Sequence, residues 1–201
     1  MGFWIGLGIL ALIIVAFLLL VIGIYNKLVT LKNRFQNAFA QIEVQLKRRH
    51  DLIPALVETV KGYMKHEKDT LESVIAARNQ AASLLKAASQ NPGDQSAMTA
   101  LAGAQNTLTS AMGGLMAVME AYPDLKADAH MLALQEELTS TENKVAFSRQ
   151  SYNDSVTSYN TCRQSFPNVI VAPMFGHAKD AAFLEFEDSA QIKHAPEINI
   201  N

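Results

Sequence analysis

Between Phe3 and Ile24 the chain runs for 22 residues without a charged side chain, drawn mostly from Leu, Ile, Val, Phe and Ala. A helix of that length rises roughly 33 Å, enough to cross the roughly 30 Å hydrocarbon layer of a bilayer. Whatever follows must fold while tethered to lipid, so membrane lipid is the first expected partner. A secretory signal would open on a basic residue, carry a shorter apolar run and end in a small-residue cleavage site. Here the first positive charge is Lys27, and Ile24-Tyr25-Asn26 offers no such site; a retained anchor over residues 1–25 is expected. Lys27, Lys32 and Arg34 follow the run while nothing positive precedes it, which predicts an N-terminus outside and the remainder in the cytoplasm. Gly2 and Gly6 have the spacing of a helix-dimer contact, but they stand at the start of the run, where ordinary membrane glycine is the favoured reading. Gly at position 6 rather than Ser or Thr also argues against N-myristoylation.

With 201 residues, one domain of about 150 residues plus the anchor accounts for the whole chain. Apolar residues after the anchor recur at helical spacing: Leu28, Leu31, Phe35, Ala38, Ile42, Leu46, Leu52, Leu56, Val60 and Tyr63. No breaker separates this stripe from the anchor, so the two are expected to form one helix, kinked near Pro54, whose ring collides with the His50 carbonyl. A second stripe (Leu71, Val74, Ile75, Arg78, Ala81, Leu85, Ala88) ends at Asn91-Pro92-Gly93-Asp94, a strong turn signal. A third (Met98, Leu101, Leu108, Met112, Leu115, Met119) ends at Tyr122-Pro123-Asp124, and a fourth runs from Met131 to Phe166-Pro167.

The expected fold is therefore all-α: an N-terminal transmembrane helix continuing into a long antiparallel four-helix bundle over residues 26–165, with a short hairpin of two helices at the distal end. Because that hairpin is shorter than its neighbours, the membrane-proximal stripe is expected to face nothing within the chain and to serve as an oligomer or partner interface. The residues assigned to it are Leu28, Leu31, Phe35, Phe39, Ile42, Tyr152, Tyr159, Phe166, Phe175, Phe183 and Phe186. The tail, residues 166–201, begins apolar but is too short and broken to span a bilayer. It is expected near the membrane surface, packed on the proximal stalk of its own chain or a neighbour's.

The net charge of −2 is unevenly spread, basic from Lys27 to Lys68 and acidic elsewhere. Lys47-Arg48-Arg49-His50-Asp51 is the densest cluster, too short for the extended basic footprint of a nucleic-acid protein. Arg48 and Arg49 read better as a charge seam with Glu136, Glu137 or Glu142 of the last helix. His66-Glu67 begins like a zincin motif, but the second ligand would fall at position 70, which is Thr70. The five histidines lie in different elements without a spaced carboxylate or thiol set, which favours surface or capping roles over a metal. Cys162 is alone, excluding an internal disulfide, and lacks an obvious base. No catalytic residue, metal or cofactor is expected.

The stretch from Tyr25 to Arg78, YNKLVTLKNRFQNAFAQIEVQLKRRHDLIPALVETVKGYMKHEKDTLESVIAAR, resembles the LemA family of bacterial membrane proteins. Further matches are Glu142-Asn143, Arg149, Tyr152-Asn153, Tyr159-Asn160, Phe166-Pro167 and Phe175-Gly176, with Phe39 standing where the family often has tryptophan. The resemblance implies a bacterial inner (cytoplasmic) membrane protein with its N-terminus outside, and it brings no established catalytic residues. Two functional classes stay open, the first motivated by the uncovered stripe and the second by the family's loose association with membrane-bound metalloproteases. One is a self-assembling, non-enzymatic scaffold that organises or remodels the membrane; the other is an adaptor or regulator of a membrane-bound enzyme such as a metalloprotease.

Overall fold

The computed structural model describes residues 1–64 and 66–186. Among them the fold is all-α, with α1 Gly2–Lys61, α2 Lys68–Gln90, α3 Gln95–Met119, α4 Pro123–Lys126, α5 Ala129–Gln164 and α6 Asn168–Val171, followed by a 3-10 turn Ala172–Phe175. The 60 residues of α1 form one rod of about 90 Å. Along its first third, the large apolar side chains from Phe3 to Leu20 are exposed, and this is the one helix among the described residues long and apolar enough to cross a membrane. Such a surface is stable only in an apolar solvent, which is consistent with membrane anchoring.

Local chemistry sets the turns. Gly93 adopts φ +90° between α2 and α3, a conformation that favours glycine. A Cβ there would also stand 3.1 Å from both Phe35 of α1 and Ala181 of the tail. Asp94 caps α3 by accepting the Ala97 amide at 3.0 Å, and Asp128 caps α5 by accepting the Met131 amide at 2.9 Å. Tyr122-Pro123-Asp124 breaks the chain as expected, but the break holds the extra turn of α4.

Helix α1 packs chiefly on α5, and α2 on α3. The core falls into two clusters. The distal one joins Leu52 to Met64 with Leu71 to Ala81 and Ala104 to Leu138; the proximal one joins Ile24 to Leu46 with Leu85 to Leu101, Val145 to Cys162 and Val171 to Phe186. The proximal cluster corrects the expectation of an open stripe. Leu28, Phe35, Phe39, Ile42, Tyr152 and Tyr159 are buried and Leu31 is half-buried, all within this one chain. Helix counting alone misses the cover: from His177 to Phe186 the tail turns back from the membrane end and lies along α5 and α1, placing Ala181, Ala182, Leu184 and Phe186 over the stripe. The expected tail is thus described as far as Phe186, and residues 187–201 lie outside the described residues.

Candidate functional site

Two places concentrate polar side chains inside this apolar rod. The first is a layer between the two core clusters. Pro54 sits inside α1 without an amide hydrogen, so the carbonyl of His50, four residues earlier, loses its helical donor. Arg78 of α2 replaces it, donating from Nε at 2.9 Å, and also pairs with Asp51 at 3.7 Å. That is why an arginine occupies the apolar stripe of α2. His50 is buried, and its Nε2 accepts from the Gln105 amide Nε2 at 3.2 Å. Burial, reinforced by the charges of Arg49 and Arg78, lowers its pKa to about 4, so it is neutral at physiological pH. Arg49, also buried, donates to Thr109 at 3.1 Å and pairs with Glu142 at 3.5 Å, while the exposed Arg48 pairs with Glu137. Within the basic cluster Lys47 to Asp51, Arg49 and His50 are therefore turned inward, while Lys47, Arg48 and Asp51 stay exposed. Two of the histidines expected at the surface, His50 and His177, are buried instead.

The second place is the clamp on the tail. Asn160 donates to the Ala181 carbonyl at 2.9 Å and accepts the Ala181 amide at 2.8 Å. Seven residues earlier Asn153 treats Leu184 the same way, at 3.1 and 3.0 Å. An amide side chain carries one donor and one acceptor that match a peptide unit, so each asparagine acts as a one-residue strand partner for the extended tail. The tyrosine beside each completes the grip: Tyr152 donates to the Ala182 carbonyl at 2.8 Å, and Tyr159 lies 3.0 Å from His177 Nδ1. Burial raises the pKa of both phenols above the ordinary value. Arg163 and Gln164 bind Asp180 at 2.7 and 3.0 Å, and Arg149 stacks over the Phe186 ring at 4.6 Å. The repeated Tyr-Asn pair was visible in the sequence; its target was not, because the tail it holds has no periodicity of its own.

Between the end of α5 and the clamp, residues 165–178 carry no Asp, Glu, Lys or Arg. Asn168 ties this segment to α5 through the Cys162 carbonyl at 2.7 Å, and Gly176, at φ +82°, turns it back toward the clamp. Val171 and Ala172 face the core beside Ile24, whereas Phe166, Val169, Ile170, Met174 and Phe175 are exposed, as is Phe183 farther along. Phe175 packs against Tyr25 with ring centroids 5.5 Å apart. Among the described residues, no group of three or more His, Cys, Asp or Glu could hold a metal ion.

Compared with known proteins, residues 38–200 match the profile of the LemA family. Protein LemA of Metamycoplasma hominis is 26% identical over 155 residues, covering 73% of this chain and 66% of the relative. Magnetosome protein MamQ of Magnetospirillum gryphiswaldense is 28% identical over 194 residues, covering 89% of this chain and 71% of the relative. Magnetosome protein MamQ 2 of Paramagnetospirillum magneticum is 25% identical over 190 residues, covering 86% and 69%. The chain thus spans about two thirds of the length of these relatives.

Proposed function

This chain belongs to the LemA family, and we propose that it is a non-enzymatic single-pass scaffold of the bacterial inner membrane, with its N-terminus outside and its bundle in the cytoplasm. The observation that carries this reading is the continuity of α1. One helix serves both as the apolar run and as the central strut of the bundle, so the bundle stands on the membrane without a hinge. A hingeless strut suits a part whose work is to hold position. In its polar layer His50 is neutral and bonded to Gln105, and Arg78 is bound to the backbone, an arrangement suited to rigidity rather than proton transfer.

Assembly into an organised membrane patch uses surface left free by the tail. Phe147 is 75% exposed and Val44 58% exposed, on the two helices that pair along the rod; together they replace the buried stripe as the face through which copies meet. Crosslinking in native membranes, followed by sizing in mild detergent, tests this: discrete oligomers that dissociate on Phe147→Ser are expected, and monomers alone at native expression sink the reading. Labelling of an added C-terminal tag from the cytoplasmic side checks the orientation.

The adaptor reading rests on a different feature, an apolar groove at the distal tip lined by Pro54, Val57, Met64, Leu71 and Ile75. Affinity capture of a membrane enzyme that is lost on Ile75→Asp, with oligomer size unchanged, favours it over the scaffold.

A further inference from the structure

We propose that the segment from Phe166 to Phe175 is a second membrane contact, a foot whose exposed apolar side chains enter the headgroup and acyl boundary of the leaflet at which α1 leaves the bilayer. The inference rests on α1 spanning the membrane and adds a separate claim about what covers the foot. Its height follows from α1 itself. Ile24 is buried and Val21 is partly buried in the core cluster that contains Val171 and Ala172, and Tyr25 meets Phe175. The foot therefore packs on the last turn of the apolar run. Ile22, on that same turn, is 54% exposed and is an apolar residue that needs lipid around it. A foot docked at the level of residues 21–25 lies at the same depth as Ile22.

Its chemistry matches that depth. Phe166 is 81%, Met174 76% and Ile170 62% exposed, an apolar surface with no charge from Ser165 to Ala178; the first charges on α1 beyond the foot are Lys27 and Lys32. Apolar side chains below and basic ones above is the order in which a monolayer interface presents acyl chains and anionic headgroups. The remainder of the run, Phe3 to Leu20, is 18 residues, roughly 27 Å of helix. That nearly fills the hydrocarbon layer by itself, so the turn carrying the foot falls at its boundary.

The test uses the full-length chain in vesicles whose lipids carry bromine either near the headgroup end of the acyl chain or near its terminal methyl. Trp4, the single tryptophan, reports on the span. Ile170→Trp in a Trp4→Phe background reports on the foot, and Leu132→Trp in that background reports on the distal bundle. Both new positions are exposed, so neither substitution disturbs the core. The expected result is at least about twofold quenching of Ile170→Trp, stronger with the shallow bromines than with the deep ones, while Leu132→Trp keeps its intensity. An Ile170→Trp signal as bright as Leu132→Trp, with Trp4 quenched, overturns the foot and leaves the anchor standing; a second copy then covers that surface. Stronger quenching by the deep bromines overturns the boundary depth. Unquenched emission from both Trp4 and Ile170→Trp overturns the span together with the foot.

Discussion

A proline in the middle of a long helix leaves a carbonyl without a donor, and the arginine that answers it makes a sharp prediction. Arg78→Ala leaves the His50 carbonyl without its 2.9 Å bond, an expected loss of about 1–3 kcal/mol. In a Pro54→Ala background the helix supplies its own amide, so the same change is expected to cost about 1 kcal/mol less; equal costs in a denaturation double-mutant cycle would sink this account. His50 itself gives a pH signature. Its proton is taken up near 6.5 in the unfolded chain but only near 4 in the folded one. The unfolded state binds more protons between those values, so stability falls as pH drops from 6.5 toward 4, by on the order of 3 kcal/mol, and levels off below. His50→Gln is expected to flatten that slope in melts recorded across the window. Sequence reading could see the Pro54–His50 conflict and an arginine on an apolar stripe. It could not join the two, because the register between α1 and α2 is set by packing.

The helices were legible as elements because apolar residues kept a 3.6-residue period and Pro, Gly and Asp marked the breaks. The tail was not, because its core residues Ala181, Ala182, Leu184 and Phe186 are held by side chains of another element. That dependence is measurable. Asn160→Ala removes both bonds to Ala181, and Asn153→Ala removes both bonds to Leu184. Hydrogen exchange should accelerate at the Ala181 amide in the first variant and at the Leu184 amide in the second, about tenfold or more for a loss above 1.4 kcal/mol. Uniform acceleration across α5 would instead mean that the asparagines support the helix rather than the tail. The same dependence explains why helical periodicity alone leaves Leu28, Phe35, Phe39 and Ile42 open to a partner: the segment that covers them is not a helix.

For the molecule as a whole, closure of the proximal core is the tail's work. Deleting residues 177–201 strips Ala181, Ala182, Leu184 and Phe186 from the cluster they share with Phe35 and Tyr152. Light scattering in mild detergent should then show heterogeneous particles larger than those of the intact chain, as the bared apolar surface finds other cover. An unchanged mass would mean that α1 and α5 close on each other without help. The intact rod, by contrast, presents a sealed trunk, with Phe147 and Val44 along its side and uncharged apolar residues at its base.

The returning tail also fixes the order in which this molecule can be finished. A ribosome delivers α1 first and Phe186 some 125 residues after Lys61, which at about 5–20 residues per second is roughly 6–25 s of synthesis. Throughout that interval the earliest-made stretch of the trunk waits beside the membrane for the segment that will cover it. Nascent copies emerging close together have that long to engage one another in place of their own unfinished ends.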